Sequence, residues 1–123
     1  MRQDLENRLV NFASAIIRLT KNLKKDTSSK LLADQILRSA TSSALNYGEA
    51  QNAQSKKDFI HKSSIVLKEL RETHINLQII NKSELHINKE EITTLLKEND
   101  ELLAIFTASI ITAKNNLKQE NEE

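Results

Sequence analysis

The chain has no proline, no cysteine and no tryptophan, and one glycine among 123 residues. Turns built on Gly or Pro are therefore scarce, which disfavours a many-stranded sheet and favours a few long helices. Without cysteine there is no disulfide and no thiolate metal site. No window approaches the roughly 20 apolar residues that span a bilayer, and no N-terminal apolar stretch resembles a signal peptide. A soluble, cytoplasmic protein is expected.

What is present is Leu, Ile, Ala, Lys, Glu, Asn and Ser in helical rhythm. Leu5, Leu9, Phe12, Ile16, Leu19 and Leu23 recur at spacings of three and four, which predicts a helix from about residue 2 to 24. Thr27, Ser28 and Ser29 offer caps for a second helix over about 30–53, with a stripe of Ala33, Ile36, Leu37, Ala40, Ala44, Tyr47 and Gly48. Ala40, Ala44 and Gly48 lie four apart, a groove for close approach of a neighbouring backbone; a kink or a helix end at Gly48 is the alternative reading. Ser55 and Asp58 have capping-box spacing for a third helix over about 56–81, with its stripe on Phe59, Ser63, Val66, Leu70, Thr73 and Leu77. Asn88 caps a fourth over 89–118, through Ile92, Leu96, Asn99, Leu103, Phe106, Ile110, Ala113 and Leu117. Buried Asn99 would fix register or bond a hydroxyl, Tyr47 being one candidate; a solvated bundle edge is the other reading.

These elements predict one all-α domain over 1–118, an antiparallel up-down-up-down four-helix bundle, followed by a frayed acidic tail at 119–123. A lone bundle needs one apolar stripe per helix. Here Val10, Ile17, Ile65, Ile75, Ile79, Ile105 and Ile111 point away from the stripes, so homo-oligomeric contacts are expected to cover them.

Chemistry is thin. Glu-x-x-His, the di-metal bundle signature, is absent, and Asp58 before His61 is only a weak half of it. One glycine makes no phosphate loop, and no serine has the context that activates a nucleophile. Lys68 and Glu72 are spaced to pair along one helix. No catalytic residue, metal, cofactor or small-molecule substrate is expected.

Charge is better organised. Residues 1–62 hold 11 Lys/Arg against 6 Asp/Glu, and residues 63–123 hold 7 against 11. Lys21, Lys24, Lys25 and Lys30 crowd the first connection and Lys56, Lys57 and Lys62 the second, at opposite ends of an up-down bundle; Arg8, Arg18 and Arg38 add charge along the first hairpin. Such clusters bind phosphates with strong salt dependence and little sequence choice. Solubility and favourable placement at helix ends account for them equally well.

Residues 35–77, QILRSATSSALNYGEAQNAQSKKDFIHKSSIVLKELRETHINL, carry a resemblance. Leu37-Arg38-Ser39-Ala40, Asn46-Tyr47, Glu49-Ala50, Ser55, Asp58-Phe59-Ile60, Lys62, Leu67-Lys68-Glu69, Glu72 and Thr73 resemble the signature of four-helix-bundle proteins encoded in intervening sequences of 23S rRNA genes. That family is related to the accessory variability proteins of diversity-generating retroelements. The resemblance implies a homopentameric, barrel-like ring and, for the retroelement relatives, a basic surface contacting nucleic acid and a reverse transcriptase. Gly48 departs from it, standing where many relatives carry a larger or charged residue. Asn46 and Glu49 are expected to bond across a helix or subunit contact.

Overall fold

The computed structural model describes residues 2–122. It contains four helices, α1 (Arg2–Lys21), α2 (Thr27–Gln51), α3 (Lys56–Lys82) and α4 (Lys89–Glu122). Each packs on its neighbour in sequence, and α1 closes the bundle against α4. The fold is all-α, as the sequence periods imply.

The helix ends follow local chemistry. α1 stops at Lys21, short of residue 24, because Leu23 leaves the helix to bridge His86. Lys24 N–H donates to the Leu85 carbonyl at 2.9 Å, which ties the first connection to the third. α2 begins at Thr27 rather than residue 30, because the cap is Asp26: its extended backbone lets Oδ1 accept the Ser29 N–H at 2.8 Å. That bond, with help from Lys24, holds the Asp26 carboxyl below the usual carboxylate range. Ser55 Oγ accepts the Asp58 N–H at 3.1 Å, and Asn88 Oδ1 accepts the Glu90 N–H at 3.0 Å.

α3 ends in a Schellman turn without glycine. Leu85 N–H reaches the Ile80 carbonyl and Glu84 N–H the Asn81 carbonyl, with Glu84 at φ 56°. Buried Leu85 and Ile80 supply the apolar contact common in such turns. The acidic tail expected to fray from residue 119 is helical to Glu122, where Lys56 ties Glu120 to the start of α3; Glu123 lies outside the described residues.

The core is built from Leu9, Phe12, Ile16, Leu19, Ile36, Tyr47, Val66, Leu70, Leu77, Ile80, Ile92 and Phe106. On α4, Leu95 and Leu102 are buried, whereas the expected Leu96 and Leu103 are half-buried. Phe106 meets Tyr47 edge-on at 5.3 Å between centroids. Asn99 is fully buried, which rules out a solvated edge, and its amide donates to the Leu70 carbonyl at 3.1 Å rather than meeting Tyr47. Its Oδ1 has no hydrogen-bond partner among the described residues.

Among the described residues, Gly48 serves no close approach within the chain. A Cβ built there meets nothing within 4 Å. The residue sits in the last turn of α2, with ordinary helical backbone.

Candidate nucleic-acid interface

The two basic clusters are not equivalent. At the second connection Lys56 pairs with Glu120, and Lys62 Nζ lies 3.0 Å from Glu49 Oε1. Among the described residues, Lys57 is the one member of that group without an ion pair. The chain neutralises most of this end itself.

The first connection differs. Lys21, Lys24, Lys25 and Lys30 are all exposed, and none makes an ion pair among the described residues. Lys24, Lys25 and Lys30 rim a cavity of about 540 Å³ against the N-terminus of α2. The exit of α1 and the entry of α2 place them there, since the connection is only five residues long (22–26).

Arg18 and Arg38 do not join that rim. Arg18 borders a cavity of about 480 Å³ with Glu90 and Glu91 of α4. Arg38 shares a polar groove of about 620 Å³ between α2 and α3 with Lys68, Glu69 and Glu72. There burial, and then the neighbouring Glu72 carboxylate, which favours a protonated Glu69 that can donate to it, pushes the Glu69 carboxyl up from its usual range. Lys68 and Glu72, spaced to pair along α3, make no ion pair among the described residues. Arg8 is also engaged: its guanidinium reaches Glu98 at 2.6 and 3.1 Å and Glu101 at 3.4 Å, which raises its pKa further.

Of the signature residues, Glu49 crosses to α3 through Lys62, while within the chain the Asn46 amide donates to the Ser42 carbonyl of its own helix at 2.8 Å. His74 bridges α3 and α4, with Nε2 2.7 Å from Asp100. No cluster of three His, Cys, Asp or Glu arranged for a metal exists among the described residues. No described helix is long and apolar enough to cross a membrane.

The outward aliphatics divide. Val10, Ile17, Ile75, Ile79 and Ile111 are exposed, while Ile65 and Ile105 are half-buried. Leu31, Leu45 and Ile87 are exposed as well and escaped the periodicity analysis. Leu31 and Leu45 lie on α2, where the helix's alanines and serines weaken the contrast between faces.

Four helices in sequence order, packed neighbour on neighbour, place the chain among the all-α four-helix bundles. The chain belongs to the 23S rRNA-intervening sequence protein family, whose model matches residues 3–108. It is similar to a crystal structure of a protein with unknown function from the S23 ribosomal protein family, from Bacteroides thetaiotaomicron VPI-5482. The two share 33% identity over 86% of this chain and 97% of that one, with a TM-score of 0.78. No curated protein matches the chain. Neither the family nor the structural relative is described by a reaction.

Proposed function

We propose that this chain is a non-enzymatic, cytoplasmic adaptor that works as a homo-oligomeric ring and holds nucleic acid, or an enzyme acting on it such as a reverse transcriptase, on its basic surface. The observation that carries the reading is the set of exposed aliphatics. Val10 and Ile17 on α1, Leu31 and Leu45 on α2, Ile75 and Ile79 on α3 and Ile111 on α4 spread over all four helices. An isologous dimer covers one self-complementary patch. Apolar surface on several faces needs two different surfaces meeting head to tail, which closes into a ring when the rotation allows. Five copies is the number the family resemblance implies.

Light scattering and sedimentation at micromolar concentration test this. A closed assembly of several copies supports it, and a folded particle of 14.0 kDa overturns it. A second reading, assembly with a protein partner and no nucleic acid, is favoured by the internal neutralisation of Lys56 and Lys62. Retention of binding to mixed RNA and DNA at low salt decides between them.

A further inference from the structure

We infer that phosphate backbone is bound at one end of the bundle only, on a lysine rim assembled from the first and the third connections. This rests on the nucleic-acid part of the reading above and adds where and through which residues. Sequence spacing joins Lys21, Lys24, Lys25 and Lys30, but it does not join residues sixty positions away. The fold does. The Leu23–His86 bridge and the Lys24–Leu85 hydrogen bond lay the third connection alongside the first. That brings Lys82, at the end of α3, and Lys89, at the start of α4, to the same end.

Both added lysines keep their charge available. Lys82 is exposed and unpaired among the described residues. Lys89 bonds the neutral Asn81 amide oxygen at 2.8 Å, which orients its ammonium without neutralising it. Four carboxylates share this end, Asp26, Glu84, Glu90 and Glu91, against the six lysines Lys21, Lys24, Lys25, Lys30, Lys82 and Lys89, so positive charge is in excess. Asp26 caps α2, while Glu90 and Glu91 lie in the first turn of α4, where the helix dipole offsets their charge, with Arg18 across the cavity from them. At the opposite end Lys56 and Lys62 are already held by Glu120 and Glu49, which leaves Lys57 as the one lysine of that cluster without an ion pair among the described residues. A polyanion approaching that end must break the Lys56 and Lys62 ion pairs; at the first end the lysines hold no ion pair among the described residues, so it displaces counterions from them. No Trp exists and Tyr47 is buried, so the rim has no stacking platform built from them and reads backbone rather than bases.

The test uses the full chain, a mixed-sequence single-stranded RNA of about 30 nucleotides and a DNA duplex of the same length, titrated from 50 mM salt upward. Lys24→Gln/Lys25→Gln/Lys82→Gln/Lys89→Gln is expected to weaken binding at 50 mM by at least about tenfold. It should also flatten the dependence of log K on log salt by roughly 2–3 on the single strand. Lys82→Gln/Lys89→Gln alone should lose at least about threefold, and Lys56→Gln/Lys62→Gln less than that. Circular dichroism confirms that each variant folds. Wild-type binding with no loss in Lys82→Gln/Lys89→Gln, or an equal loss in Lys56→Gln/Lys62→Gln, overturns the one-ended rim and leaves the nucleic-acid reading intact. No wild-type binding to either probe at 50 mM removes the nucleic-acid reading, and the rim with it.

Discussion

The seam between α2 and α3 and the seam between α1 and α4 are built from opposite materials. α2 and α3 are the most closely packed pair in the bundle, and α1 and α4 the least. The close seam is crossed by the buried Ser39–Thr73 hydroxyl pair, and its two helices bury further small residues, Ala40 and Ser43 on α2 and Ser63 on α3. Helix separation follows the bulk of the side chains between the axes, so small residues draw the pair together. The open seam is joined by the Arg8 clamp on Glu98 and Glu101, and beyond it lies a cavity of about 810 Å³ lined by Leu5, Tyr47, Phe59 and Ile105 among others. Close packing at one seam is rigid and intolerant of volume. An ion-paired seam over a cavity tolerates change.

The largest expected effect tests that intolerance directly. Ala40 is fully buried. Ala40→Leu adds three carbons where the neighbours have no room, and should cost about 3 kcal/mol in urea-monitored unfolding. A loss below about 1 kcal/mol would mean the close pair yields as easily as the open one, and the contrast would fail.

Next comes the bond that crosses the close seam. Ser39 Oγ and Thr73 Oγ1 lie 2.7 Å apart, both buried. Thr73→Val removes one partner and leaves the other with only a long bond, 3.3 Å, to the Ile36 carbonyl, so a loss of about 1.5 kcal/mol is expected. Ser39→Ala combined with Thr73→Val should cost less than the two single changes added together, since no hydroxyl is then stranded. Strict additivity in that cycle would show that the bond is incidental to the seam.

How far such features were legible beforehand differs along the chain. The four helices follow from the spacing of Leu, Ile and Phe, because burial enforces that period. The choice within Leu95-Leu96 and Leu102-Leu103 does not, since either member of each pair satisfies the period and only the facing helices select one. Asp26, Thr27, Ser28 and Ser29 are four consecutive cap formers, and extended backbone at Asp26 decides among them. The lysines of the first connection were visible as a cluster. Their distinction from those of the second was not, because Glu49 and Glu120 reach Lys62 and Lys56 only through tertiary structure. Lys82 and Lys89 were invisible as members of the rim for the same reason.

A smaller effect is expected at the open seam. Arg8 is partly exposed, and so are both carboxylates it holds. Pairs of this kind contribute little, and the bidentate geometry puts this one near the top of the range. Arg8→Gln should cost close to 1 kcal/mol at low salt and less at high salt, read from thermal unfolding at two ionic strengths. A salt-independent loss as large as that of Ala40→Leu would mean that the clamp, rather than close packing, governs the bundle.

Gly48 should give the smallest change in the chain itself, and it separates the chain from its assembly. Glycine in a helix interior costs up to about 1 kcal/mol against alanine, less near a helix end. Gly48 lies in the last turn of α2, has ordinary backbone angles and faces open space where a Cβ would stand. Gly48→Ala is therefore expected to raise the stability of the isolated fold by about 0.5 kcal/mol. Nothing among the described residues explains why the glycine is there, whereas a neighbouring copy packed on this turn would. If that is its role, the same substitution weakens assembly while strengthening the fold, and sedimentation and chemical unfolding move in opposite directions. If both improve together, the close approach belongs to no partner at all, and the outward face of α2 at this turn is simply solvent-facing.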